Sequence, residues 1–230
     1  MARHEVALRG RDEVADGTLA FRFAKPVGFT FKAGQSVSLA LLDPPAEPNG
    51  ARRTFSLASA PFEDELMVAT RMREGSAFKR ALKALPAGTQ LRLTGPLGAM
   101  TLHEDSARAA VLIAGGIGIT PFRSILLQAE HERLAHPLLL AYSNRQRGHA
   151  AFIAELEALQ RRNTRFRLLA RMTDAEGFVD EAALAHFTRG APAPVYYLAG
   201  PPAMVQAMKA ILARAGVATG DVRSEEFYGY

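Results

Sequence analysis

Four short stretches hold the residues best suited to chemistry. The first is Ala109-Ala-Val-Leu-Ile-Ala-Gly-Gly-Ile-Gly-Ile-Thr-Pro121, an apolar run ending in glycines at 115, 116 and 118 and a proline at 121. That order reads as strand, tight turn and helix. Glycines let the backbone approach a ligand, and Pro121 suits a first helical turn, where its missing N–H costs nothing. The helix start offers N–H groups and a positive dipole end to an anion such as a pyrophosphate. Pro121 replaces the third glycine of the dinucleotide fingerprint, so an ordinary strand-to-helix connection accounts for the turn equally well. The second stretch is Arg53-Thr-Phe-Ser56. Its arginine can neutralise a phosphate, its aromatic lies two residues on along the same strand face, and its serine can donate to a ring nitrogen. A polar strand end is the plainer explanation. Gly75-Ser-Ala-Phe78 opens a helix, a third anion-ready N-terminus, and Tyr197-Leu-Ala-Gly-Pro-Pro202 is a second strand-to-helix turn.

Other chemistries are excluded by composition. With no cysteine there is no disulfide, no thiolate-held iron–sulfur cluster and no cysteine nucleophile. The histidines at 4, 103, 131, 136, 149 and 186 fall in no metal-ligating pattern, so no metal site is expected and they read as surface residues. The net charge of +5 is concentrated in the first 102 residues, notably at Arg71, Arg73, Lys79, Arg80 and Lys83. Such a patch can steer an acidic protein, or is simply a solvated face. Nucleic acid has no aromatic interleaving or module to support it. No signal peptide and no membrane-length apolar run is visible, so a soluble, cytoplasmic protein is expected.

The elements that must position these residues change texture near residue 103. Before it, short alternating segments predict strands at 6–9, 18–23, 35–42, 54–58, 66–72, 90–94 and near 99–102. One helix is predicted over 76–85, with Ser76 as its cap. These make a small antiparallel barrel. The polar run His103–Arg108 reads as a linker. After it, strands and helices alternate: strands at 111–114, 138–142, 166–171, 195–199 and 222–228, helices at 121–134, 151–161, 180–187 and 202–215. Strands apolar on both faces predict a doubly wound, Rossmann-like five-stranded parallel sheet, with the opening glycine turn on its first strand. The domains are therefore 1–102 and 103–230.

Together the stretches resemble the ferredoxin–NADP reductase superfamily across nearly the whole chain. Arg53-Thr-Phe-Ser56 is similar to the family's Arg-x-Tyr-Ser flavin motif, with Phe55 in the tyrosine's place. Gly75–Phe78 resembles its flavin-phosphate turn, and Gly115–Pro121 its Gly-Gly-x-Gly-x-x-Pro nucleotide motif. Ala199-Gly-Pro-Pro-Ala-Met204 resembles its Cys-Gly-Pro-x-x-Met turn with alanine for cysteine, and Glu225-Glu-Phe227 its Glu-x-aromatic ending. The resemblance implies a flavin-binding barrel, a nucleotide-binding α/β domain, and hydride transfer between NAD(P)H and flavin.

It also implies residue roles. Arg53 and Ser76–Phe78 (Ser76, Ala77, Phe78) would hold the flavin phosphates, with Thr54, Thr70, Arg71 and Met72 in the same flavin-binding set. Phe55 would pack beside the flavin ring and Ser56 would hydrogen-bond near its N5. Gly116, Gly118, Thr120 and Pro121 would bind the nucleotide pyrophosphate, and Gly200, Pro201 and Met204 would border the nicotinamide. Phe227 would cover the other flavin face, with Tyr230 as a rival, and Glu225 would polarise the site or relay a proton. Ser143 and Arg145 point to a 2′-phosphate, favouring NADPH over NADH; FAD is favoured over FMN. The partner would be a separate electron carrier, an acidic ferredoxin or flavodoxin. Alternatives are a reductase subunit of a larger oxygenase or hydrogenase-type complex, and a non-catalytic nucleotide-binding protein of the same fold.

Overall fold

Alternating apolar residues build the first half of the chain. The computed structural model describes residues 2–46 and 51–228. Strands β1 (Ala2–Ala15), β2 (Thr18–Ala24), β3 (Ser36–Leu41), β4 (Arg52–Ser56), β5 (Glu65–Arg71) and β6 (Gln90–Leu97) form one antiparallel sheet in the order β4-β3-β6-β1-β2-β5. A bridge between Leu57 and Val68, with Ala58 N–H donating to the Met67 carbonyl at 2.8 Å, joins the two edges into a barrel. Its interior is filled by Leu8, Phe21, Phe23, Leu39, Phe55, Leu57, Val68 and Leu93. Helix α1 (Ala77–Ala84) closes one side with Phe78 and Leu82, capped by Ser76, whose hydroxyl accepts from Lys79 N–H. The strand expected near 99–102 is absent. Gly98 turns the chain, Thr101 N–H closes onto the Ala99 carbonyl, and the Thr101 carbonyl accepts from Arg223, so this backbone is satisfied without a ladder.

The second half is the doubly wound sheet. Strands β7 (Ala110–Gly115), β8 (Leu138–Asn144), β9 (Phe166–Met172), β10 (Val195–Gly200) and β11 (Val222–Glu226) pair in parallel in the order β11-β10-β7-β8-β9. Helices α2 (Ile119–His131), α3 (Ile153–Arg162), the single turn α4 (Thr173–Glu176), α5 (Glu181–Phe187) and α6 (Pro202–Arg214) alternate with them. Ala110, Leu112 and Ala114 face one core; Val111 and Ile113 face the other. That is why β7 is apolar throughout. β9 departs from the expectation: on the sheet edge, most of its residues are only half-buried. Two of its amides, Leu168 and Met172, are taken by the side chains of Gln160 and Glu176, which shields the edge from further pairing. No helix is long and apolar enough to cross a membrane among the described residues.

Barrel and parallel sheet share a core. Ala20, Ala69 and Met100 pack in one cluster with Ile117, Phe122 and Ile125 of the second half. The run 103–108 is irregular, as a linker should be, yet it is firmly packed. Tyr197 OH lies 2.8 Å from His103 Nδ1 and accepts from His103 N–H at 2.9 Å; His136 Nε2 lies 2.9 Å from the His103 carbonyl. Arg108 pairs with Asp221 at 2.7 Å. The expectation of surface histidines fails at His136, which is 4% exposed, and at the half-buried His103. Both are bound into this packing as polar connectors, which an isolated histidine in a sequence does not reveal.

Candidate active site

The carboxyl ends of the parallel strands form one rim. Parallel register sets Gly115 beside Ser143, Ser143 beside Arg171, and Ala199 beside both Ala114 and Glu225. The two glycine turns lie against each other. A Cβ on Gly118 would collide with the Ala199 carbonyl, so only glycine permits this approach. Gly116 is the turn's one partly exposed residue between 111 and 120, held at φ +54 with open space beyond it. Gly118 and Pro121 are buried, and Thr120 is 3% exposed with its hydroxyl donating to the Ile117 carbonyl. These three build the turn, and Gly116 offers its backbone outward.

Gly200, Pro201 and Met204 complete the rim. Met204 and Pro201 crowd the position a Gly115 side chain would take. Glu225 is half-buried with no hydrogen-bond partner among the described residues, and burial raises its carboxyl above the ordinary 4.5. It is not the plain surface carboxylate its position near the chain end suggests. Phe227 N–H donates to the Gly200 carbonyl at 2.9 Å, and its half-buried ring packs on the core shared with the barrel. Tyr230 lies outside the described residues. Ser143 is half-buried, Arg145 is exposed without an ion-pair partner among the described residues, and Arg147 is held by Glu157 through two hydrogen bonds.

On the barrel side, Ser56 is 5% exposed and its buried hydroxyl has no hydrogen-bond partner among the described residues. An orphaned buried hydroxyl costs free energy unless a ligand answers it. The Phe55 ring packs into the barrel core against Phe78, with centroids 5.9 Å apart. Thr54, alternating with it, points to solvent. Thr70 is buried with its hydroxyl near the Arg71 carbonyl, whereas Arg71 and Met72 are half-buried.

Lys79 is the residue that sequence reasoning missed. It lies in the first turn of α1, 7% exposed, and its Nζ donates to the Arg71 carbonyl at 2.9 Å. Burial, then the charges of Arg73 and Arg53, lowers its ammonium to about 8. A cation at a helix N-terminus opposes the dipole, and three cations converging on one opposes it further. Such a helix start favours an anionic neighbour over a further cation. The signal was legible: a lysine three residues after a capping serine, with no acidic residue in the turn. Ala77 and Phe78 are buried, so they contribute the helix start rather than side chains. No cluster of three or more histidine, aspartate or glutamate side chains could hold a metal among the described residues.

Comparison with known proteins places this architecture. Residues 112–210 match the oxidoreductase NAD-binding domain family. The reductase component of phenol 2-monooxygenase from Pseudomonas sp. (strain CF600) is 31% identical over 209 residues, covering 86% of this chain and 58% of that protein. Ferredoxin–NADP reductase B of Sorangium cellulosum is 35% identical over 150 residues, 65% of this chain and 60% of that one. The ferredoxin NADP+ reductase of Neisseria gonorrhoeae, solved with FAD and NADP, has the same fold over 98% of this chain and 99% of its own, with a TM-score of 0.84 and 21% identity. Over residues 112–210 the chain matches the oxidoreductase NAD-binding domain, and as a whole it has the two-domain fold of that ferredoxin NADP+ reductase. It spans about three fifths of the length of the curated relatives it matches. The Gly116–Gly118 turn packs against β5 of the barrel, so the strand rim lies beside the barrel.

Proposed function

We propose that the chain is a flavin-dependent NAD(P)H oxidoreductase, with residues 1–102 holding FAD and residues 103–230 holding the pyridine nucleotide. The observation that carries this reading is the buried Ser56 hydroxyl, without a hydrogen-bond partner among the described residues, on the strand that also holds Arg53. A ring that accepts a hydrogen bond, joined to phosphates that need cations, answers both features. Bound there, FAD would supply a hydride acceptor at N5 and the capacity to pass electrons on singly.

The chain's own residues then have these tasks. Ser56 donates to the ring, Arg53 and Lys79 neutralise phosphate, and Ser76 fixes the α1 N-terminus that faces it. Arg71 and Met72 line the phosphate side of the pocket. Gly116 offers backbone to the nucleotide, while Gly200, Pro201 and Met204 shape the nicotinamide entry. Phe227 shields the ring until nicotinamide replaces it. Glu225 carries a proton in the crevice at a pH where an exposed carboxyl has lost it. Ser143 and Arg145 take a 2′-phosphate, making NADPH the preferred donor.

Electrons leave to a separate acidic carrier, a ferredoxin or flavodoxin, drawn by the exposed cations Arg73, Arg80 and Lys83. A second reading has an oxygenase system as the destination; the Pseudomonas and Comamonas relatives, named as reductase components, favour it. The test is anaerobic addition of NADPH or NADH to protein incubated with FAD. Bleaching of the flavin band, faster with NADPH, is expected. Failure to take up FAD or FMN, or a bound flavin that neither nucleotide reduces, overturns the proposal.

A further inference from the structure

A side chain that uses every donor it has lies outside every motif above. Arg123, five residues into α2, is 5% exposed. Its Nε donates to Glu155 at 2.7 Å and Nη2 to the same carboxylate at 2.9 Å. Nη1 donates to the Ala58 carbonyl at 2.7 Å and to Glu63 at 3.0 Å, and Nη2 to Glu63 at 3.3 Å. All five guanidinium N–H groups are therefore used, and the Phe152 ring lies 5.1 Å from its Cζ. The acceptors divide by origin. Glu155 belongs to α3, in the same half of the chain as Arg123; Ala58 and Glu63 belong to the barrel. The next two residues of α2 reinforce the barrel side. Ser124 Oγ donates to the Ser59 carbonyl at 2.7 Å and accepts from Gly34 N–H at 3.3 Å, and Ile125 packs where a Gly34 side chain would stand.

The two ends of this clamp are short. Ala58 is two residues beyond Ser56, and Arg123 is five beyond Gly118. We propose that Arg123, through its barrel arm to Glu63 and Ala58, is a positioning residue that sets the separation between the flavin half and the nucleotide half of the crevice. This rests on the proposed flavin–nucleotide reading. Hydride transfer needs near-contact of the two rings, and a misplacement of about 1 Å costs on the order of a hundredfold in rate. A planar guanidinium with two bidentate carboxylates fixes direction as well as distance, which a lysine ammonium cannot do.

Glu63→Gln and Glu155→Gln separate positioning from stability. Each leaves the guanidinium one carboxylate short, but only the first loosens the barrel arm; the new amide oxygen can still accept from Ala60 N–H, as the Glu63 carboxylate does at 2.6 Å. Two measurements are made on both variants and the parent. The first needs no flavin. The chain has no cysteine, so Val27→Cys and Arg161→Cys, exposed and one in each half, carry a spin-label pair whose distance distribution is read in the free protein. The second is flavin reduction at saturating NADPH, with flavin affinity measured alongside. Glu63→Gln should broaden the distribution and slow reduction about tenfold or more, with flavin Kd and nucleotide KM within twofold of the parent. Glu155→Gln should leave the distribution narrow and the rate within about threefold. An unchanged distribution in Glu63→Gln, a parental rate despite a broadened one, or equal slowing in both variants overturns the positioning role. If the parent itself is not reduced by either nucleotide, the flavin–nucleotide reading falls, and the positioning role with it.

Discussion

At the scale of single residues, two groups carry more information than their neighbours. Ser56 is buried, and its hydroxyl has no hydrogen-bond partner among the described residues. Ser56→Ala removes that orphan, so the free protein should keep or slightly gain stability, whereas flavin reduction should slow by tenfold or more with little loss of flavin affinity. Stopped-flow reduction beside a thermal melt checks both, and equal reduction rates would remove Ser56 from the reaction. Lys79 gives a pH signature. In the free protein its ammonium titrates at about 8, lowered by burial and by Arg73 and Arg53. A bound pyrophosphate favours the charged form and raises that value. Below pH 8 the charge is already present, so FAD affinity should be flat there. Above pH 8 binding must take up a proton, and affinity should fall by up to about tenfold per unit. Fluorescence titration from pH 6.5 to 9.5 reads this, and Lys79→Met should bind FAD more weakly at pH 7 and lose the slope. The sequence pointed to Arg53 and Ser56 because their types suit a phosphate and a ring on one strand, and the structure places both on β4. It could not show that Phe55 turns into the core, because alternation gives a face but not which face the barrel closes on.

At the scale of elements, the strand-to-helix turns were legible from glycine and proline spacing, and both lie where a doubly wound sheet puts them. What spacing did not reveal is that Gly118 serves packing, since a glycine needed for ligand approach and one needed for backbone approach look identical in sequence. Gly118 has a negative φ, so Gly118→Ala strains no dihedral; its methyl would strike the Ala199 carbonyl instead. We expect a loss of about 1–3 kcal/mol from this overpacking, visible as a Tm lower by several degrees. The turn at Gly200 would be displaced with it, so nucleotide KM should rise as well. The linker makes a further prediction. His103 donates from Nε2 to the Arg108 carbonyl and accepts from Tyr197 OH at Nδ1, a neutral arrangement. Burial is the main cause that lowers its imidazole below the ordinary 6.5, and the neighbouring charges of His136, Arg108 and Arg223 act in the same direction. The unfolded chain therefore binds a proton that the folded one resists, and stability should fall as pH drops below about 6.5. His103→Asn, which keeps an acceptor near Nδ1, should give a shallower dependence of Tm on pH between 7 and 5.5. A parental slope would locate the sensitivity elsewhere.

At the scale of the whole molecule, the two halves were separable in the sequence because the hydrophobic period changes near residue 103. Their mutual placement was not, because it depends on Arg123, Ser124 and Phe62, whose partners lie about 60 residues or more away along the chain. Nothing in local periodicity encodes such pairings. The surface charge is a whole-molecule property of the same kind, since it acts through the summed field. Arg73, Arg80 and Lys83 are exposed together on α1 and the turn before it, next to the proposed phosphate site. If that field guides an acidic carrier, the reduction rate at subsaturating carrier should fall several-fold between 0.05 and 0.5 M salt, because screening shortens the reach of surface charge from about 10 Å at 0.1 M towards about 3 Å at 1 M. NADPH is itself an anion, so the measurement is made at saturating nucleotide, where its own encounter no longer limits the rate. Arg80→Glu with Lys83→Glu should lower the zero-salt rate and flatten the salt dependence while leaving flavin reduction by NADPH near parental. A salt-independent parental rate would mean that these cations only solvate the barrel. A salt-dependent rate unaffected by the two substitutions would move the docking face to another part of the surface.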